Sequence, residues 1–202
     1  MIICIGREFG SGGHKIGFRL AEELHIKFYD QELVDKVFAQ NSHGDEARLR
    51  RADEKKPNAM LYRANYDSED PNLRGISDHD LMFELQSRII RDLAAEGDCV
   101  FIGRCADYVL KEADIPRCSI FITAPFEDRI RRITTLYQLS EKDAVARIRK
   151  EDKARKSYYN YHTGGSWGKP SNYDICINSS FLGIEQTVDA LVRVGSLSER
   201  RF

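Results

Sequence analysis

The residues with chemistry in them fall in short, separated places. GREFGSGGHK (6–15) is a glycine-rich run between an apolar segment, MIICI, and an amphipathic one, IGFRLAEEL. GRCAD (103–107), FEDRIRR (126–132) and RIRKEDKARK (147–156) carry arginines beside acidic residues. A glycine turn between a strand and a helix offers backbone N–H groups and a helix N-terminus to an anion. Arginine adds a planar fork of donors suited to phosphate. Together these residue types point to phosphate recognition. The pattern G-x-x-x-x-G-K-[ST] is nevertheless absent. Gly13 stands where its lysine belongs, followed by His14 and Lys15.

The elements that must hold these residues alternate along the chain. Strand-like runs are IICI (2–5), KFYD (27–30), CVFIG (99–103), CSIFITA (118–124) and YDICINSS (173–180). Helical spacing marks 13–25, QELVDKVFAQ (31–40), 78–96, the segment after GRCAD, 126–137, 140–157 and 184–194. In 78–96, Leu81, Leu85, Ile89 and Leu93 share one face, with Asp78 or Asp80 as cap. Unbroken β-branched strands alternating with helices predict a parallel sheet covered on both faces. Ligands of such sheets bind at the carboxyl ends of the strands. Two of those ends read Gly-Arg here: Gly6-Arg7 and Gly103-Arg104. Residues 41–77 are charged and poor in large apolar residues, which predicts an excursion from the core.

Composition excludes several classes. The 202 residues hold 31 basic and 32 acidic side chains, net charge −1, so no global field draws the protein to nucleic acid or a membrane. The basic stretch 147–156 is interleaved with acids, which also speaks against nucleic acid. No apolar run is long enough to span a bilayer, and MIICI lacks the basic flank of a signal peptide. Cys4, Cys99, Cys105, Cys118 and Cys176 form no C-x-x-C pair. Four of the five lie within or beside apolar runs, which reads as buried free thiols in a reducing cytoplasm rather than as zinc ligands.

Six segments in order, GREFGSGGHKIG, FYDQELV, VFIGRCADYVL, FITAPFEDRIRRI, EDKARKSYY and YDICINSS, resemble the cytidylate kinase-like family, a branch of the P-loop nucleoside monophosphate kinases. The resemblance implies a P-loop NTPase-type three-layer α/β/α fold with a mostly parallel sheet. The core would comprise 1–40, 78–133 and 173–202, with an acceptor-binding arm inserted over about 41–77 and a basic lid over about 134–172. It implies transfer of the γ-phosphate of ATP to CMP, dCMP or a related acceptor, with Mg²⁺ as cofactor, in the cytoplasm. Gly10, Ser11, Gly12, Gly13, His14 and Lys15 would then surround the donor phosphates. Asp30, Arg104, Arg129 and Asp152 would bind the acceptor, and Ser11 and Asp107 are the candidate metal ligands.

Lined up with an ordinary cytidylate kinase loop, G-P-S-G-A-G-K-G-T, Arg7 falls at the first glycine and Gly13 at the lysine. The missing cation must then come from Arg7, His14 or Lys15. Arg7, always charged and expected to face solvent at the loop mouth, is the first choice, helped by Arg149 and Arg155 of the lid. Lys15 is expected to point away from the loop. The first arginine of the family's lid motif falls at Ile148. Tyr158, Tyr159 and Trp167 are read either as a stacking platform for a base or as packing of the lid on the core. Two further functions stay open: a nucleotide-binding sensor without catalysis, and a kinase for a different small acceptor.

Overall fold

The computed structural model describes residues 1–30, Leu33 and 78–198. The expected arm over 41–77, and all but Leu33 of the helix expected over 31–40, lie outside the described residues. The described elements are β1 (Ile2–Arg7), α1 (Gly13–Glu23), β2 (Lys27–Tyr29), α2 (Asp78–Ala95), β3 (Cys99–Ile102), α3 (Ala106–Glu112), β4 (Cys118–Thr123), α4 (Phe126–Tyr137), α5 (Glu141–Thr163), a 3₁₀ turn (Pro170–Asn172), β5 (Ile175–Asn178), α6 (Ser179–Leu182) and α7 (Ile184–Ser198).

The five strands form one sheet in the order β2-β3-β1-β4-β5, with every pairing parallel. Successive side chains of a strand point to opposite faces, and that alternation sorts two cores. Ile3, Ile5, Val100, Ile102, Ile120 and Ile122 meet Ile16 and Leu20 of α1 and Val188 and Leu191 of α7. On the other face Cys4 and Phe101 meet Leu81, Ile89, Ile90 and Leu93 of α2 and Val109 and Leu110 of α3. Helices therefore cover both faces, the three-layer architecture that the strand–helix alternation implies.

A third, smaller core joins α4 to α5 through Ile130, Ile133, Ala144 and Ile148. Ile148 is fully buried there. The position where the lid motif has an arginine is thus a packing position, which docks the basic helix on α4. That helix is also longer than its sequence spacing suggests. Ser140 caps it by accepting the N–H of Asp143, and it runs to Thr163, where Gly164 in the left-handed conformation ends it. The last strand is shorter than expected, because 179–182 turn into α6.

Candidate functional site

The glycine loop joins β1 to α1 at the middle of the sheet's carboxyl edge. Gly10 and Gly12 take φ of 83° and 82°. An L side chain rarely adopts that region, so both positions require glycine. Helix α1 then starts at Gly13 with no side-chain cap and no acid in its first turn. The first N–H groups of a helix have no intrahelical partner and carry the positive end of its dipole. No side chain caps them here.

Polar contacts hold the loop in this shape. Ser11 donates its hydroxyl to the Glu8 carbonyl at 2.9 Å, and Ser179 donates to the Ser11 carbonyl at 2.5 Å. Arg132 Nη1 donates to the Gly10 carbonyl at 2.6 Å, and the Phe9 N–H donates to Asp152 Oδ1 at 2.7 Å. This corrects the expectation for Ser11 as a metal ligand. Ser11 is completely buried, with its hydroxyl turned to the Glu8 carbonyl.

Arg7, expected to face solvent, turns inward. Its side chain lies so close to Gly103 that a Cβ there would stand 2.2 Å from Nη1. Arg155 reaches the same place from α5 and donates Nη1 to the Arg7 carbonyl at 3.1 Å. Arg104, next to Gly103, lies over the Tyr158 ring at 5.7 Å. Burial pushes the Arg7 guanidinium down to about 9, and the positive charges of Arg155 and Arg104 push the same way. Asp30 is the one acid that opposes them among the causes of that shift. Arg155 is likewise lowered, first by burial. Arg104 and Cys105 also hold φ of 53° and 54°, a conformation uncommon for residues other than glycine. Such strain gathers at binding sites. Three arginines from β1, the β3 tip and α5 thus converge beside the uncapped end of α1.

Arg129 and Asp152, expected at the acceptor, lie beside the loop and are bound to each other. Arg129 is 7% exposed. Its Nη1 donates to Asp152 Oδ2 at 2.5 Å and to the Phe9 carbonyl at 3.2 Å, while Glu8 lies 3.6 Å from Nη2. Both Asp152 oxygens are occupied, one by Arg129 and the other by the Phe9 N–H. Glu8 accepts from the Thr123 hydroxyl at 2.6 Å and the Ala124 N–H at 3.2 Å. This pair ties α5, α4 and the loop together, and in this arrangement neither member offers its charge to an acceptor.

The other expected site residues divide. Asp30 accepts from the Leu33 N–H at 2.9 Å and faces His14 Nε2 at 3.1 Å. His14 and Lys15 are exposed on α1. Arg149 is exposed and lies over Phe126 at 5.8 Å, so it is not among the three arginines at the loop. Asp107 corrects the second metal expectation. It accepts the Tyr159 hydroxyl at 2.9 Å, and burial raises its carboxyl above the usual range. It joins α3 to α5. No group of three or more His, Cys, Asp or Glu able to hold a metal occurs among the described residues. The residues expected to hold Mg²⁺ do not fit it.

The aromatics of the basic helix pack. His162 stacks on Phe83 of α2 at 4.1 Å, and Tyr158 donates to Gln86 of the same helix at 3.1 Å. Trp167 meets Phe121 edge-on at 5.4 Å. A cavity of about 440 Å³ opens beside them, lined by Phe121, Trp167, Lys156, Glu8, Thr123 and Cys176 among others, with no arginine in its wall. It is distinct from the arginine cluster. The cysteines are all unpaired thiols; Cys4, Cys99 and Cys105 are buried as expected, whereas Cys118 is half-buried and Cys176 exposed.

Glu8, Arg132 and Ser179 were not anticipated. The signal for Arg132 lies in FEDRIRR, where Arg129 and Arg132 stand three apart and so share a helix face. Ser179 stands at a strand tip, the region where the fold puts function. Nothing in the type of Glu8 marks it.

A protein named cytidylate kinase from Methanopyrus kandleri is 24% identical over 198 residues, covering 95% of this chain and 91% of its own. The crystal structure of an uncharacterised protein from Eubacterium ventriosum superposes with a TM-score of 0.72 at 28% identity, over 96% of this chain and 97% of that one. Shikimate kinase from Bacteroides thetaiotaomicron shares the fold, with a TM-score of 0.53 at 14% identity over 97% and 98%. The family model described as cytidylate kinase-like matches residues 2–181, and the chain belongs to that family.

Proposed function

We propose that the protein is a nucleotide kinase that moves the γ-phosphoryl group of ATP to a nucleoside monophosphate, CMP or dCMP first among them. Family membership supports a nucleotide kinase. The observation that carries the reading is the meeting of Arg7, Arg104 and Arg155 beside the uncapped start of α1. The γ-phosphorus would break its bond to the β-bridging oxygen and form one to an oxygen of the acceptor phosphate, leaving ADP and a nucleoside diphosphate. Such a reaction asks the protein for positioning and positive charge rather than a covalent nucleophile. The α1 amides and Arg7 would hold the donor phosphates, with Arg155 closing from above. Arg104 would hold the acceptor phosphate. Ser11 faces the Glu8 carbonyl and Asp107 holds the Tyr159 hydroxyl, so neither is assigned to Mg²⁺.

A second reading, nucleotide binding without turnover, is favoured by the commitment of Asp152 to Arg129 and Phe9. A coupled ADP-release assay with ATP, Mg²⁺ and a panel of nucleoside monophosphates separates the two. ADP release that depends on CMP or dCMP supports the kinase. Release with another small acceptor only would move the substrate. ATP binding without release would favour the sensor.

A further inference from the structure

The lysine expected in the glycine loop is not merely lost. The loop has Arg7 where the ordinary loop has its first glycine, and Gly13 where the ordinary loop has its lysine. In the fold those two positions face each other. A Cβ added to Gly13 would stand 2.6 Å from Arg7 Cβ and 3.0 Å from its Cγ. Side chains are not found that close, and Arg7 Cβ is fixed to the strand. Only one of the two positions can therefore carry a side chain. Gly13 is also the first residue of α1 and is not among the residues with positive φ. Nothing in its backbone asks for glycine, a poor helix residue. What asks for it is the stem of Arg7 above all, with Ile122 Cβ, 3.3 Å from where a Cβ would stand, a lesser obstacle. Beyond Gly13 the side chain runs on to Gly103, whose missing Cβ leaves room for the guanidinium.

We infer that cation and glycine have exchanged places in this loop: Gly13 and Gly103 form a slot that delivers Arg7 from the strand side to the spot a loop lysine serves from the helix side. Gly13 and Gly103 are positioning residues acting through Arg7. The slot excludes a lysine at position 13 while Arg7 is present. This inference rests on the reading that the loop binds the phosphates of ATP.

The exchange can be reversed. ATP binding in the presence of Mg²⁺ is measured by calorimetry for the parent, Arg7→Gly, Gly13→Lys, and the double variant. Arg7→Gly is expected to bind about ten- to a hundredfold more weakly, the loss of one charged hydrogen-bonding group. Gly13→Lys alone is expected to weaken binding, although it adds the missing lysine. The double variant is expected to recover most of the loss. Tight binding by Gly13→Lys alone, or no recovery in the double variant, overturns the inference. A parent that binds no ATP overturns the functional reading and the exchange with it. Melting temperatures give a test without ligand, should a lysine variant fail to fold. Gly13→Ala is expected to lower the melting temperature of the parent strongly and that of Arg7→Gly much less, because only the 3.3 Å approach to Ile122 Cβ then remains against the better helix propensity of alanine. An equal loss in both backgrounds overturns the slot.

Discussion

Two groups of arginines sit within the same part of the molecule and differ in what answers their charge. Arg129 is buried against Asp152, Glu8 and the Phe9 carbonyl. Arg7 is crowded by Arg155 and Arg104 with Asp30 as its opposing acid, whereas Asp152 and Glu151 answer Arg155. A buried charge with partners holds elements together. Buried charges crowded by others of the same sign hold a place for an anion. Sequence motif would have ranked Arg104 and Arg129 alike; the partners separate them.

The contrast predicts different failures. Asp152→Ala leaves the buried Arg129 with only the more distant Glu8 carboxylate at 3.6 Å. It should cost the most, about 3 kcal/mol of stability, seen as an early transition in urea unfolding, with any loss of ATP binding following from a loosened loop. If Asp152→Ala melts like the parent, the pair is no scaffold. Arg104→Ala should act on ligand binding first: monophosphate affinity should fall by roughly 1.5–3 kcal/mol, the worth of a charged hydrogen bond, and ATP affinity by less. Equal losses of monophosphate and ATP binding would contradict its place on the acceptor side.

The pH dependence of Arg7 sharpens the comparison. Its guanidinium is pushed down to about 9 in the fold, first by burial. Above that pH the unfolded chain keeps a proton the folded chain has shed. Stability contributed through Arg7 should therefore rise with pH from about 9 upward. Anion affinity, which needs the charged form, should fall over the same range. Melting and ATP titrations of the parent beside Arg7→Met check both slopes; parallel slopes in the two proteins would remove Arg7 from the site. The smallest effect belongs to Lys15. It is exposed on α1, so Lys15→Ala should stay within about 0.5 kcal/mol in stability and keep ATP affinity. A large loss of affinity would make Lys15 the displaced lysine.

Much of the fold was legible, because strand tips, glycine turns and helical faces are local signals. The runs IICI, CVFIG and CSIFITA mark the strands, and their alternation required two covered faces. Site residues were legible where backbone chemistry sets them, as at Gly10 and Gly12. The direction of a side chain was not. Arg7 looked like a solvent-facing residue until Gly13 and Gly103 were seen on either side of it. Ser11 looked like a metal ligand until its hydroxyl was found on the Glu8 carbonyl. Both depend on contacts between distant segments, which local spacing does not encode. Ile148 looked like a lost arginine, and the burial of its side chain against α4 supplies the reason.

The central claim is that an anion meets a desolvated, crowded Arg7. Proton uptake on binding tests it most directly. Near pH 9 the phosphates of ATP are fully ionised, and burial with two neighbouring cations pushes the Arg7 guanidinium down toward the same range. Calorimetric titration of ATP in two buffers of different ionisation enthalpy reports the protons taken up. The account predicts net uptake near pH 9 by the parent, declining toward neutral pH and abolished in Arg7→Met. No uptake by a parent that binds ATP, or the same uptake by Arg7→Met, would contradict it.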